Sequence, residues 1–134
     1  TRAGVPVICD LARRPSAATE TALAVADLVI LVTTVDVRSC AAAASTARWA
    51  EEQNPNTGGV ARGPAPGGLG PADAGRLIGR PVLAAMRPQP GIEAQLDCGG
   101  LRLRPRAPLA RAARKVLALV SRRPEPGRAS ELVA

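Results

Sequence analysis

The chain has 134 residues, a length that supports one domain with a substantial core. Apolar residues make up 46% of it, but Trp49 is the only aromatic residue, so the core must consist mainly of Val, Leu, Ile and Ala. Histidine is absent, which excludes Ser-His-Asp and Cys-His catalysis and every histidine-containing metal site.

Positive charge is concentrated in the C-terminal part. Residues 1–97 carry nine Arg against nine acidic residues, whereas residues 98–134 carry eight Arg and one Lys against two Glu, a net of +7. Such a segment favours anionic partners, namely nucleic acid, membrane headgroups or an acidic protein. Every second residue is an arginine at Arg102, Arg104 and Arg106. In an extended segment these side chains would share one side, where they could contact phosphates; alternatively, they are only solvated.

Two apolar runs, each followed by polar groups, predict buried strands of a parallel sheet. Residues 5–9 lead into Asp10, and residues 28–32 lead into Thr33 and Thr34. Ligands of open parallel sheets bind beyond the carboxyl ends of the strands. The sequence therefore places Asp10 and the two threonines at the edge of a ligand site.

Asp10 is the first candidate for a functional side chain. A carboxylate at the end of a buried strand can hold Mg²⁺, directly or through water, as in P-loop NTPases. The alternative is a carboxylate that caps the next turn. Thr33 and Thr34 can likewise meet phosphate or water, or simply end their strand.

Helix and strand signals alternate along the rest of the chain. Ser16 can cap a helix over residues 16–26, and Asp36 can cap a second helix that Asn54-Pro55 ends. Further elements are predicted as a helix over 37–53, a weak strand over 58–61, a helix over 71–78, a strand over 81–86 and an amphipathic helix over 109–120. This order predicts an α/β fold with a mainly parallel sheet flanked by helices.

The remaining segments are predicted to be irregular. Residues 62–71 are rich in Gly and Pro but lack the Lys-Ser/Thr pair of a phosphate-binding loop. Residues 87–107 show no regular periodicity, and residues from 124 onward predict a disordered tail. No apolar run approaches the ~18 residues of a membrane span, and no signal peptide is evident, so we expect a soluble, cytoplasmic chain.

The three cysteines are far apart in sequence. An odd count without a CxxC pair argues against a disulfide framework and a zinc site and favours a reducing compartment. We expect Cys9 and Cys40 to be small core residues. The chain opens at Thr1 and enters an apolar run directly, which predicts a fragment or a processed piece.

Five segments in order resemble one family of ATPases. They are VICDLARRP, ADLVILVTTVDV, VARGPAPGGL, PVLAAMRPQPGIEAQLDCG and PLARAARKVL. This series resembles the C-terminal half of MinD/ParA-type P-loop ATPases, and it is closest to the CpaE-like, septum-site-determining branch of actinobacteria. The resemblance covers residues 1–120 as part of that α/β domain and leaves residues 121–134 as a basic tail.

The resemblance implies a set of site residues. Asp10 matches the acidic residue that ends the Walker B strand and would serve Mg²⁺. Arg62 falls near the base-contacting position. Arg87 and Pro88 open the segment, residues 87–92, that matches the loop closing over adenine. With Thr33, these residues would bind ATP and Mg²⁺ in the intact protein.

The resemblance also implies what this chain lacks. The family's Walker A segment, with its two lysines, lies upstream and has no counterpart here, so we expect this chain alone not to hydrolyse ATP. The family's P-loop strand would lie between the two apolar runs. We therefore expect the chain alone to be marginally stable, to associate, or to pair those two runs directly. The expected partners are the rest of the ATPase domain or a second copy of the protein, together with division or secretion proteins. The expected location is the cytoplasm, including the membrane periphery.

Two alternatives come from other classes of protein. In a receiver-like signalling domain, Asp10 would be the phospho-acceptor, Thr33 or Thr34 the switch hydroxyl, and Arg87-Pro88 would replace the usual Lys-Pro. In a binding module, the basic C-terminal part would dock on nucleic acid or an anionic membrane.

Overall fold

The structure is a computed structural model that describes residues 6–65 and 69–121. Within these ranges, three strands form a parallel sheet in the order β1-β2-β3: β1 (Val29–Thr34), β2 (Thr57–Arg62) and β3 (Val82–Met86). The helices are α1 (Ala17–Val25), α2 (Val37–Gln53), α3 (Pro71–Ile78), α4 (Ile92–Asp97) and α5 (Pro108–Ser121). The chain has the predicted α/β class, with helices flanking a parallel sheet.

Local capping signals set the ends of the first three helices. Ser16 and Asp36 each accept a hydrogen bond from the backbone N–H three residues later, at 3.1 and 2.8 Å. Pro71 begins α3, and Gly79, with φ +74°, ends it in the left-handed region that favours glycine. The predictions of these helices are confirmed, as are the strands predicted at residues 28–32, 58–61 and 81–86.

Helices cover both faces of the sheet. Because the strands follow one another in one direction, right-handed crossovers place α2 and α3 on the same face. The core on that face contains Val35, Cys40, Ala47, Ala61, Ala74 and Ile78. On the other face, Ala112 of α5 packs against Val60 and Ala84. α1 adds Leu23 to a smaller cluster with Val29 and Ala50.

The prediction of a strand over residues 5–9 is wrong. Val5 lies outside the described residues, and residues 6–10 form no strand, with Ile8 89% exposed and Val7 65% exposed. A strand needs a paired neighbour, and in the described ranges no backbone hydrogen bond reaches residues 6–10. The expected direct pairing with the 28–32 run is therefore also wrong. Cys9 is exposed for the same reason, whereas Cys40 is buried as predicted.

One further difference lies in the C-terminal half. The segment 87–107, predicted to be irregular, contains α4, a helix of six residues. The final amphipathic helix is confirmed and begins at Pro108. The predicted disorder from residue 124 onward falls outside the described residues. Among the helices in the described ranges, none combines the length and the hydropathy that a bilayer span requires.

Candidate functional site at the carboxyl ends of the strands

The carboxyl ends of the three strands meet at one edge of the sheet. Thr34, Arg62 and Met86 are in register across it. The pairing continues one residue further on each side of β2, since the Val35 N–H donates to the Arg62 carbonyl at 3.2 Å and the Gly63 N–H donates to the Met86 carbonyl at 2.9 Å. The loops that follow the strands are thus held close together where parallel sheets bind ligands.

A cleft of about 280 Å³, here called the strand-end cleft, opens at this edge. Among the described residues, Arg87 is the one charged group in its lining, and the other walls are apolar. The lining residues are Val35, Ala61, Gly63, Pro64, Leu69, Pro71, Ala85, Met86 and Arg87. Apolar walls with one cationic group suit a flat ring that carries a polar edge.

Glycine is required where the chain leaves β2. A Cβ atom at Gly63 would lie 2.3 Å from Cγ2 of Val35, far inside van der Waals contact. The next peptide bond, Gly63–Pro64, is cis. Gly63, Pro64 and Leu69 line the strand-end cleft. The described part of the Gly- and Pro-rich sequence therefore contributes an apolar wall.

The threonine that ends β1 belongs to a capping network. The Thr34 hydroxyl donates to the Asp36 carboxylate at 2.5 Å and lies 2.8 Å from the Ser39 hydroxyl. Hydrogen bonds to the Asp36 carboxylate from the Thr34 hydroxyl, and then from the backbone N–H and the hydroxyl of Ser39, lower the pKa of Asp36 to about 2. Burial, with a smaller effect of the Asp36 charge, raises the pKa of Cys40. Thr34 is thus committed to starting α2.

Two other predicted residues lie at this edge but outside the cleft lining. Thr33 is buried, and its hydroxyl donates to the Thr34 carbonyl at 3.2 Å. Arg62 is exposed, and strand alternation places it on the face opposite Ala61 and Gly63, which line the cleft. The structure therefore brings Thr33 and Arg62 to the right end of the sheet without bringing either into the strand-end cleft.

The segment after β3 supplies the polar groups nearest the cleft. Arg87 lines it, while Pro88 follows in the exposed turn. The side-chain oxygen of Gln89 is buried and accepts no hydrogen bond from the described residues. Gln89 itself is not among the residues that line the strand-end cleft. Gly91, with φ +69°, then turns the chain into α4.

Asp10 does not occupy the position from which its role was argued. It lies in an exposed segment outside any strand and is not part of the cleft lining. Both the Mg²⁺ interpretation and the receiver-like interpretation need Asp10 at the end of a strand, and the structure does not place it there. In the described ranges, no three His, Cys, Asp or Glu residues lie close enough to hold a metal ion.

Most of the cleft was missed by the sequence analysis. Val35, Pro64, Leu69 and Met86 carry no catalytic signature, and they converge from three loops that only the sheet register brings together. Gln89 was missed because an unpaired acceptor is a property of the fold. The one local signal was the Gly-Pro pair directly after a strand, which marks a backbone turn.

Comparisons with known proteins give two relatives. The chain is 54% identical over 121 residues to "Uncharacterized protein Rv3660c" of Mycobacterium tuberculosis strain H37Rv, and equally to "Uncharacterized protein MT3760" of strain CDC 1551. In each case the match covers 90% of this chain and 35% of the relative. No family model and no solved structure matches the chain. The chain thus spans about a third of the length of these relatives.

Proposed function

We propose that this chain forms the base-binding side of a nucleotide site in a MinD/ParA/CpaE-like ATPase. The observation that carries the proposal is the strand-end cleft, an apolar pocket at the carboxyl edge of a parallel sheet that is lined by Arg87. This is the edge at which open α/β sheets bind nucleotides. The resemblance assigns the same segment, residues 87–92, to the loop that closes over adenine.

The cleft suits a purine ring. Its volume of about 280 Å³ lies at the lower limit of ligand pockets, which hold ~300–1,000 Å³. Val35, Leu69 and Met86 provide apolar contact for the ring faces. Arg87 can donate to ring nitrogens or to a phosphate. The described residues therefore fit the base end of ATP.

The described residues do not fit the triphosphate or Mg²⁺. No carboxylate cluster lies in the described ranges, and the sequence has no Gly-Lys-Ser/Thr loop. In the proposed ATPase, the phosphates and the metal would be held elsewhere in a longer polypeptide, and Asp10 and Thr33 would join them there. The relatives, of which this chain spans 35%, have room for such a segment. This chain alone is proposed to be inactive as an ATPase.

The cellular role in this proposal comes from the resemblance. It is septum-site determination or the assembly of a pilus-type secretion system, in which nucleotide controls dimerisation and partner binding. The proposed partners are the rest of the ATPase domain or a second copy of it, together with division or secretion proteins.

Sequencing the transcript upstream of the Thr1 codon tests the proposal directly. An in-frame extension with a Gly-rich loop ending in Gly-Lys-Ser/Thr, placed after a strand, is the expected result. A start codon immediately upstream without such a loop would contradict the ATPase.

A second readout is ATP turnover by the 134-residue chain, for which we expect no difference between the native chain and Asp10→Ala. Mg²⁺-dependent turnover that Asp10→Ala abolishes would contradict the assignment of the phosphates to another segment.

One observation favours a second candidate, a module that docks on a polyanion. Between residues 98 and 121 the chain carries six basic residues and no acidic one, and all six are exposed. They are Arg102, Arg104, Arg106, Arg111, Arg114 and Lys115. Binding to a DNA duplex or to phosphatidylglycerol vesicles that weakens steeply with salt would support this function. Absence of binding at low salt would remove it.

A further inference from the structure

A second and larger groove runs along the outer edge of the sheet. It has a volume of about 570 Å³ and lies between α3 and α5, with residues 82–85 of β3 as its floor. We call it the β3 groove. It meets the strand-end cleft only at Pro71 and Ala85, which contribute to both. Neither the sequence analysis nor the proposed nucleotide site uses it.

The floor of the β3 groove is an unpaired strand edge. In the described ranges β3 pairs with β2 alone, so one edge of β3 has no neighbouring strand. Alternate peptide groups of a parallel strand point to each side, and those on the outer side of β3 lack a strand partner. Val82 and Leu83 are half-buried, and Ala85 is exposed. A row of such groups is a template for one more strand.

The α3 wall leaves room for a polypeptide backbone. Pro71, Ala72, Gly75 and Gly79 line this side with small side chains or none. A Cβ atom at Gly75 would lie 3.3 Å from the Arg80 carbonyl oxygen and 3.4 Å from Cγ2 of Val82, so helix and strand are already in close contact. Arg76 is the one large side chain that α3 contributes to the groove lining in the described ranges, and it is exposed, so it can move aside for an incoming strand.

The charge of the β3 groove favours an acidic partner. Three basic residues line it, Arg76, Arg80 and Lys115, and no acidic residue does so in the part of the chain that the structure describes. Arg76 pairs with Asp73, and Arg80 pairs with Glu51.

On the α5 wall, the exposed Lys115 forms no ion pair within the described ranges, and Arg111 is exposed one turn earlier on the same side of the helix. The α5 wall is therefore a source of uncompensated positive charge beside an open strand edge.

We propose that the β3 groove binds an extended acidic segment of a partner protein, which adds a strand to β3 and directs its carboxylates towards Lys115 and Arg111. Peptide recognition by strand addition takes affinity from main-chain hydrogen bonds and specificity from side chains on alternate positions. A second copy of this chain is a poor occupant, because edge-to-edge pairing would bring two basic rims together. A nucleic acid would meet the charge but would leave the strand edge unpaired.

Fluorescence polarisation with labelled peptides tests the proposal on the 134-residue chain. The probes are two ten-residue peptides, one alternating Thr and Glu and the other alternating Thr and Lys. We expect the Thr-Glu peptide to bind at least tenfold more tightly than the Thr-Lys peptide. Lys115→Glu should weaken that binding by about tenfold, whereas the matched control Arg48→Glu, on an exposed position of α2, should not. Equal binding of both peptides, or none, would overturn the proposal.

Hydrogen exchange separates strand addition from charge attraction alone. With the Thr-Glu peptide bound, the amides among residues 82–86 that point away from β2 should become protected, while those of β1 stay unchanged. If the peptide binds without protecting residues 82–86, the proposed strand addition is wrong. If these amides become protected without peptide as the protein concentration rises, a second copy of the chain occupies the edge, and the proposal of an acidic partner is wrong. The native chain and Lys115→Glu should have the same melting temperature, because Lys115 is exposed.

Discussion

At the scale of single residues, polar side chains at the ends of α1 and α2 hold the first layer of the fold together. Asn54 is 4% exposed and donates from Nδ2 to the carbonyls of Leu23 and Ala26 at 2.8 and 2.6 Å. Its oxygen accepts from the Asn56 N–H at 2.9 Å. The same residue that ends α2 thus ties the end of α1 to the start of β2.

Replacing this side chain should therefore cost stability. We expect Asn54→Ala to lower the free energy of unfolding by ~1–3 kcal/mol, because it removes the side-chain donor of the Ala26 carbonyl and leaves the Leu23 carbonyl with only the Ala26 N–H, at 3.3 Å. Urea denaturation measures the change, and Asn56→Ala is the matched control, since only backbone groups of Asn56 form the hydrogen bonds there. Equal midpoints for the two variants would contradict this role.

The Asp36 cap predicts a pH dependence. Its pKa is about 2 in the folded chain against an ordinary value of 3.8. The cap therefore stabilises the fold fully above pH 3.8, and this stabilisation is lost as the pH falls towards 2. We expect the melting temperatures of the native chain and Asp36→Ala to differ most near neutral pH and to converge near pH 2. Asp36→Ser keeps a neutral cap, so its melting temperature should not converge with that of Asp36→Ala as the pH falls. A pH-independent difference in melting temperature between the native chain and Asp36→Ala would contradict the role of the ionised Asp36 carboxylate.

At the scale of elements, the sequence predicted those that depend on local signals. Ser16, Asp36, Pro71 and Gly79 act within one turn of chain, so α1, α2 and α3 could be located from sequence. The run at residues 5–9 failed because a strand depends on a neighbour that no local pattern reveals. α4 was missed because six residues between Gly91 and Gly99 give too little periodicity. The strand-end cleft was beyond prediction, since its lining comes from loops far apart in sequence.

β1 offers a test of which strand face is covered. Val29 is 9% exposed, whereas Val32 is 70% exposed. We expect Val29→Thr to cost ~1–3 kcal/mol, because it buries a hydroxyl, and Val32→Thr to change stability by less than ~0.5 kcal/mol. Chemical denaturation of the two variants provides the comparison. A large loss of stability in Val32→Thr would show that the face of β1 that carries Val32 is covered in solution.

At the scale of the whole molecule, the chain combines a small sheet with exposed apolar groups. Ile30 and Val32 of β1 are 38% and 70% exposed, and Ile8 is 89% exposed. The chain spans 35% of its relatives, in which further sequence can cover these groups.

We predict that the isolated chain is marginally stable or self-associates. Sedimentation at several concentrations, followed by thermal unfolding of each sample, measures both properties. The exposed apolar edge of β1 is the expected site of association, and Val32→Lys should reduce it. A monomer that unfolds in one cooperative transition, with strong exchange protection of the outer amides of β1, would contradict this prediction.

The most direct test of the central claim is nucleotide binding by the product of the whole open reading frame that encodes this chain. Titration with a fluorescent ADP analogue should show saturable binding that Arg87→Ala weakens roughly tenfold, about 1.4 kcal/mol. Arg48→Ala, which removes an exposed arginine far from the cleft lining, should bind like the native protein. Absence of binding, or equal binding by Arg87→Ala and the native protein, would contradict a base-binding role for the strand-end cleft.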